Sequence, residues 1–459
     1  MRKNTLLLGS LMSLMLLTQT ACEDNKDEYI SDYSTVLYFK NSGDVPVTLY
    51  RTGEDDNYKL VIDKAGSDLK AQTEVTATVL DNTALAIYNS ENGTNYHLLP
   101  ANCYEVAENS VVSFGSSDLY KVVDVTMKTE EIYKLAAPES GSYVIPFQLV
   151  NSKSTINPNK NYAFVAPHVE IPTVYFGKTG FSNTTITKND QDEITLTLPI
   201  EMVIENKWEF DCQVKVDESL LEAYNAKNNT AFRLLPADSY TISDRVTFAP
   251  GNNVANVEIK INRPKLNMGT YILPLALEKC YQEYFALDES KKTCLFGVSY
   301  TPPRSDLSAV ALSTSMLSTN AQEANEGPIA DLIDGNKETF FHSSWSSSIL
   351  DKYGHYIDIA LPNEVNSIAF DYVTRHNNNN ATPKTIKLWT SADNNVWELL
   401  GIVTGDLPTD KGASYSSSVY ASPTKFKYFR FAVTESASGK MNDKESSSFA
   451  LAEFSLYAQ

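Results

Sequence analysis

Apolar and polar residues alternate one by one along much of the chain. Trp208, Phe210, Cys212, Val214 and Val216 are interleaved with Glu209, Asp211, Gln213 and Lys215. Ile194, Leu196, Leu198 and Ile200 keep the same beat, as do Val75, Ala77 and Val79, then Val123, Val125 and Met127. A period of two marks a strand that buries one face. One kind of segment departs from it. Glu218 to Lys227 places Leu220 or Leu221 and Tyr224 three to four residues apart, which predicts a short helix ending near Asn228 and Asn229.

The same order of elements occurs twice. Leu85 to Ala101 and Leu221 to Ala237 share Tyr-Asn, a following Asn and Thr, and Leu-Leu-Pro-Ala, offset by 136 positions throughout; Tyr104 and Tyr240 continue the match. Val36 to Phe39 corresponds to Thr173 to Phe176, and Gly141 to Pro146 to Gly269 to Pro274. A period this long means two tandem copies of one domain, not a solenoid. Each copy reads as an immunoglobulin-like β-sandwich with one short helix, over residues 36–172 and 173–300. Thr301-Pro302-Pro303-Arg304-Ser305-Asp306 reads as a linker, 301–306, before a further domain at 307–459.

Composition narrows the function. The 459 residues hold 38 Lys and Arg against 57 Asp and Glu, a net charge of -19. Nucleic acid is therefore not an expected partner, because phosphate backbones need a cationic surface. At 42% apolar residues there is material for packed cores, and five Cys are too few for a disulfide scaffold. Met1-Arg2-Lys3 followed by the apolar run Leu6 to Leu17 has the form of a signal peptide, residues 1–21. Ala21-Cys22 after that run resembles a bacterial lipoprotein signal, with Cys22 as the lipidated residue. Glu23 to Glu28 opens an acidic tether, 22–35, which resembles the surface-export signals of Bacteroidetes lipoproteins. The implied location is the outer membrane, lipid-anchored and facing the exterior, with membrane attachment by lipid only.

The Tyr-Phe starts, the Tyr-Asn, Asn and Thr helix end and Leu-Leu-Pro-Ala with its following Tyr resemble the Bacteroidetes lipoprotein domain of unknown function 1735. The resemblance implies neighbours that act on or bind glycans. The third domain carries further landmarks. They are Ala330 to Thr339, Phe340 to Trp345, strands at Tyr356 to Leu361, Ser367 to Tyr372 and Lys384 to Trp389, a turn at Ser391 to Trp397, Lys427 to Phe431, and Ser448 to Phe454. In this order they resemble the coagulation-factor 5/8 type C (discoidin-like) domain, the group that includes carbohydrate-binding module family 32. The whole chain is thus expected to be all-β, two sandwiches followed by a discoidin-type jelly roll.

That resemblance implies a structural Ca²⁺ held by Asp334, Asn336 and Thr339 of one loop with Glu453 of the last strand, hard oxygen donors that suit the ion. It also implies a glycan site. Sugar recognition needs an aromatic face and planar hydrogen-bonding groups, for which the candidates are Trp345, Arg375, His342, His376, Asn377 and Phe449. Trp397 falls where the family has a core tryptophan.

Searches for catalytic motifs find little. Among the five His there is no His-Glu-x-x-His, and neither a P-loop nor a Gly-x-Ser-x-Gly elbow occurs. No catalytic cofactor is expected. Cys280 and Cys294 bracket a hairpin and could form a disulfide, whereas Cys103 and Cys212 read as buried thiols. The expected function is non-catalytic capture of oligosaccharide or polysaccharide for a polysaccharide-utilisation system, beside its outer-membrane importer and glycosidases. The alternatives are an adhesive or structural surface protein binding a protein partner, and a cryptic glycoside hydrolase.

Overall fold

The strand Val254–Asn262 converts alternation directly into structure. Ala255, Val257, Ile259 and Ile261 are buried, and every position between them is exposed. The computed structural model describes residues 34–106, 110–441 and 447–459, and nearly all of its regular structure is β. The leader and Cys22 lie outside the described residues. No described helix is long and apolar enough to cross a membrane. The chain divides into two compact units, one up to Pro172 and one from Thr173.

The first unit is a two-sheet sandwich. One sheet runs Thr155–Ile156, Val36–Phe39, Asp56–Ala65, Tyr120–Met127, Tyr104–Glu105. The other runs Gly43–Tyr50, Tyr162–Glu170, Ser142–Val150, Thr73–Val79, Ser110–Phe114. Leu37, Leu60, Ile62 and Val125 from one sheet meet Val75, Ile145, Phe147 and Val165 from the other. Burying two single-faced sheets against each other is what the period of two requires.

The second unit begins with a sandwich of the same strand order. Tyr240–Ile242, Val254–Asn262, Glu193–Met202, Thr173–Phe176 and Ala286–Leu287 form one sheet. Gly180–Ile186, Thr293–Tyr300, Gly269–Cys280, Phe210–Val216 and Arg245–Phe248 form the other. The motif shared by the copies is structural. Helix Asn82–Asn92 is capped by Asp81 and ends at Gly93, while Ser219–Asn228 ends at Asn229; both end residues have positive φ. Asn89 then pins the chain leaving its helix, accepting from Thr94 Oγ1 at 2.8 Å and Tyr96 N at 3.1 Å and donating to Tyr96 O at 2.9 Å. Asn225 does the same with Thr230 and Phe232 at the same distances.

Residues 301–306, expected as a linker, are packed against the C-terminal domain. The Arg304 guanidinium bonds Asp371 and the Ser417 carbonyl and lies over the Tyr457 ring. Lys188 reaches Asp306 at 2.7 Å, and Arg233 reaches Glu398 at 3.2 Å. The second sandwich and the C-terminal domain belong to the same compact unit.

That domain is built on the strand His355–Thr374. Its first part pairs with Phe426–Val433 of strand Tyr420–Ser436, and its end with Ala450–Ala458. Register shifts between Ala360 and Ser367 separate the two halves. Such bulges bend a strand so that it serves two sheet regions, which curls the sheet into a jelly roll. Ile357, Phe370, Phe431, Leu451 and Phe454 fill its interior.

Arg430 is 5% exposed, within this domain. It holds Asp358 through two hydrogen bonds of 2.7 and 2.9 Å. Tyr356 and Trp397 cover its guanidinium, with ring centres 3.7 and 4.0 Å away. Trp397, expected as a core tryptophan, is instead a half-buried cover on this ion pair. Removing the cation leaves a shielded carboxylate without its partner, so Arg430→Met is expected to cost about 3 to 5 kcal/mol. Asp358→Asn added to it should restore part of the loss. Urea unfolding, followed through the transition of the C-terminal domain, measures both.

Candidate functional site

At one end of the jelly roll the loops surround a cleft of about 510 Å³, lined by Glu326, His342, Trp345, Arg375, Asn380, Ala437, Ser438 and Ser448. Trp345 leaves the indole 46% exposed, which is unusual for so large an apolar group. Its loop is held from below by Glu323, itself 4% exposed. Glu323 accepts from the backbone N–H groups of Trp345 at 3.0 Å and Ser346 at 2.9 Å and from Ser346 Oγ at 2.7 Å. These bonds to the charged form keep its carboxyl down at about 2.

Arg375 follows the strand end at Thr374. Its guanidinium stacks 3.8 Å from the centre of the Phe340 ring and pairs with Glu326 at 3.1 Å, while Nε donates to Asn377 Oδ1. Glu326 also accepts from Trp345 Nε1 at 3.3 Å, so one carboxylate orients the planar cation and the indole together. Stacking plus charge-assisted bonding fixes an Arg that would otherwise sample many rotamers.

His342 is 5% exposed. Its Nδ1 lies 2.8 Å from the Ser343 carbonyl, which can only accept, so Nδ1 carries the hydrogen and Nε2 is left as an acceptor. Burial pushes its pKa below the ordinary value and keeps the ring neutral. Gly327 packs against this residue with φ of +63°, and a Cβ there would lie 2.5 Å from His342 N. Only glycine fits.

The six residues expected to bind glycan thus separate. Trp345, Arg375 and His342 share the cleft. Asn377 orients Arg375. His376 lies behind the cleft lining, beside Phe340, with Nε2 3.5 Å from Glu338. Phe449 is corrected outright, because its ring is 0% exposed and packs edge-on against Phe341 in the core. It cannot be a stacking platform. Sequence reasoning missed Glu326, Ser438 and Ser448. An acid able to neutralise Arg375 was the available signal for Glu326; nothing local marked the two serines. Asn380 ends the run of four Asn at 377–380, a composition that marks a turn and singles out no one contact. Glu326 is the one carboxylate among the described residues of the lining.

The residues expected to hold a cation do converge. Asp334 accepts from Asn336 N at 2.9 Å and Thr339 Oγ1 at 2.7 Å, across a turn at Gly335 with φ of +76°. Glu453 comes from the last strand close enough to Asp334 for each carboxyl to act on the other's titration. Its Oε1 is buried with no partner. Burial and the Asp334 charge raise the Glu453 carboxyl, while N–H and O–H donors lower Asp334. Two acids in contact with one orphaned oxygen, plus neutral oxygen donors, fit a hard cation. Among the described residues, no group of three or more His, Cys, Asp or Glu gathers as a metal cluster.

Cys280 and Cys294, read from the sequence as a possible disulfide, are both free thiols. Cys280 faces Cys212, whereas Cys294 faces Leu275. The hairpin is present, but its register keeps them apart.

The model of a family defined by its N-terminal domain matches residues 32–156 and again 169–280, together just over half of the chain. The chain belongs to that family. An F5/8 type C domain model matches residues 313–447, within the jelly roll. No curated protein matches the chain. Among solved structures, a two-domain protein of unknown function from Bacteroides fragilis is 15% identical, with 63% of this chain and 94% of that one covered and a TM-score of 0.25. The C-terminal domain of a chitobiase from the same species is 24% identical over 32% of this chain and 97% of its own, TM-score 0.26. A family 32 carbohydrate-binding module of Clostridium perfringens NanJ, solved with galactose, is 19% identical over 34% and 96%, TM-score 0.24.

The buried imidazoles set a pH dependence. His342 and His355 both have pKa values lowered in the folded chain, each mainly by burial. Near pH 6.5 the unfolded chain therefore binds the more protons, and stability falls as pH drops through that value. Each histidine should contribute up to about 1.4 kcal/mol per pH unit. Denaturant unfolding at pH 7.5, 6.5 and 5.5 should show the slope, with His342→Asn reducing it.

Proposed function

We propose that this chain is a glycan-binding lipoprotein of the outer membrane, anchored through Cys22 and facing the exterior. Its jelly roll holds oligosaccharide for a polysaccharide-utilisation system, close to an importer and glycosidases, and the two sandwiches space it from the membrane. The observation that carries the reading is the exposed Trp345 face beside the fixed Arg375 and the neutral His342. An indole offers a flat apolar face to the C–H surface of a pyranose ring. Beside it, His342 can accept from a hydroxyl, and the Asn380 amide can donate and accept. Capture of this kind raises local glycan concentration without any bond being broken.

Binding of the full chain to an array of defined glycans tests it. A glycan class should be retained, and Trp345→Ala should weaken its binding about 100-fold, equivalent to about 2.7 kcal/mol. Arg375→Ala should do comparably, and Glu326→Gln less. Failure of the folded chain to retain any glycan overturns the proposal; shortening of a labelled glycan replaces it with hydrolysis.

The same reading places a structural Ca²⁺ on Asp334, Asn336, Thr339 and Glu453. There it would supply positive charge to two facing acids and fasten the first loop to the last strand. At a hundred times its Kd, Ca²⁺ should add about 2.7 kcal/mol, raising the Tm of the C-terminal transition by about 5 to 10 °C. EDTA should reverse the shift, Glu453→Gln should abolish it, and the shift should be smaller at pH 5 than at pH 7. Protons and the ion compete for the same oxygens.

A further inference from the structure

Cys212 and Cys280 stand directly opposite each other on neighbouring antiparallel strands, Phe210–Val216 and Gly269–Cys280. Tyr281 N donates to Asp211 O at 2.9 Å. That bond joins the residue before Cys212 to the residue after Cys280, which makes the cysteines a non-hydrogen-bonded pair. Such pairs bring their Cα atoms to about 4.5 Å and their side chains closer than the alternate pairs do. This separation lies within the range that a disulfide spans.

The other two described thiols lack this geometry. Cys294 is opposite Leu275, five positions along the strand from Cys280, roughly 17 Å at the rise of a strand. Cys103 belongs to the first sandwich.

We propose that Cys212 and Cys280 form an intramolecular cross-strand disulfide when the folded chain meets a disulfide oxidant. Cys280 is half-buried and Cys212 fully buried, so an oxidant reaches Cys280 first. The neighbouring Cys212 thiol and the Gln282 backbone lower the Cys280 thiol, whereas the Cys280 neighbour and burial raise Cys212. The Cys280 thiolate attacks one sulfur of the oxidant disulfide, breaking its S–S bond and releasing one thiol. Cys212 then loses its proton and attacks the Cys280 sulfur of the mixed disulfide, releasing the second thiol. Two protein thiols and one disulfide become one protein disulfide and two thiols. The link would staple one sheet of the second sandwich, and it does not depend on what the cleft binds.

The test uses the reduced, folded full chain and oxidised glutathione as the oxidant. After acid quenching, the chain is denatured, alkylated and mapped by mass spectrometry without reduction. The expected result is one species joining the Cys212 and Cys280 peptides, with the loss of two alkylatable thiols, while Cys103 and Cys294 are alkylated. Cys294→Ser should leave the link intact, and Cys280→Ser should leave Cys212 alkylated. Full alkylation of Cys103, Cys212, Cys280 and Cys294, a stable glutathione adduct on Cys280, or a Cys280–Cys294 link would each overturn the proposal.

Discussion

The last strand, Ala450–Ala458, is the closure on which the C-terminal domain depends. It pairs with the end of His355–Thr374, with Ser308–Ala309 and with Phe341–His342. A curled sheet left open there would expose unpaired edge groups and an apolar interior. Each piece of the cleft hangs from this closure. His342 is opposite Ala450. Ser343 exchanges bonds with Phe449, donating from its backbone N–H at 2.9 Å and accepting the Phe449 N–H through Oγ at 2.8 Å. Ser448 reaches the rim because Phe449 beside it is locked inside. Glu453, further along, meets the Asp334 turn. The Asp334 turn and the cleft are thus joined through a single strand, although no residue is common to both.

This closure explains which parts of the site the sequence made legible. Trp345 and Arg375 sit in loops, where large or planar side chains without a period-two partner stand out. Phe449 could not be read the same way. Residues 449 to 452 are all buried, so both faces of the strand are covered and the alternation that separates inside from outside is lost. A buried aromatic at the strand entry then looks like a loop aromatic. Register was equally hidden. The hairpin between Cys280 and Cys294 was visible in composition, but which residues face each other depends on a third strand. Phe210–Val216 occupies the free side of Gly269–Cys280, and only the assembled sheet shows it.

The electrostatics of the cleft show how an acidic chain can still present a defined polar surface. Two carboxylates bonded to Trp345 are committed. Glu323 takes two backbone N–H groups and a hydroxyl. Glu326 is balanced by Arg375 and the indole N–H. Arg375 itself is held by Glu326, Asn377 and the Phe340 face. The charges are therefore spent on holding geometry. A neutral ligand meets a surface already organised, and neither long side chain has to be ordered on binding.

The two sandwiches provide a comparison within one molecule that separates what the fold needs from what it merely permits. Asn89 and Asn225 make the same three hydrogen bonds, and a buried Leu99 or Leu235 follows each helix. Groups reproduced at these distances in two copies answer a requirement of the architecture: a helix must be ended and its chain returned to the sheet. Cys212 is a different case. Thr73 is opposite Phe114 and Val75 opposite Val112 in the first copy, as Phe210 is opposite Phe248 and Cys212 opposite Val246 in the second. Val75 therefore fills the position of Cys212. A plain aliphatic side chain satisfies the packing there, so the fold does not call for a thiol. What distinguishes the second copy is that its cysteine has another cysteine across the strand, and the chemistry open to that pair is an addition to the sandwich, not a condition of it.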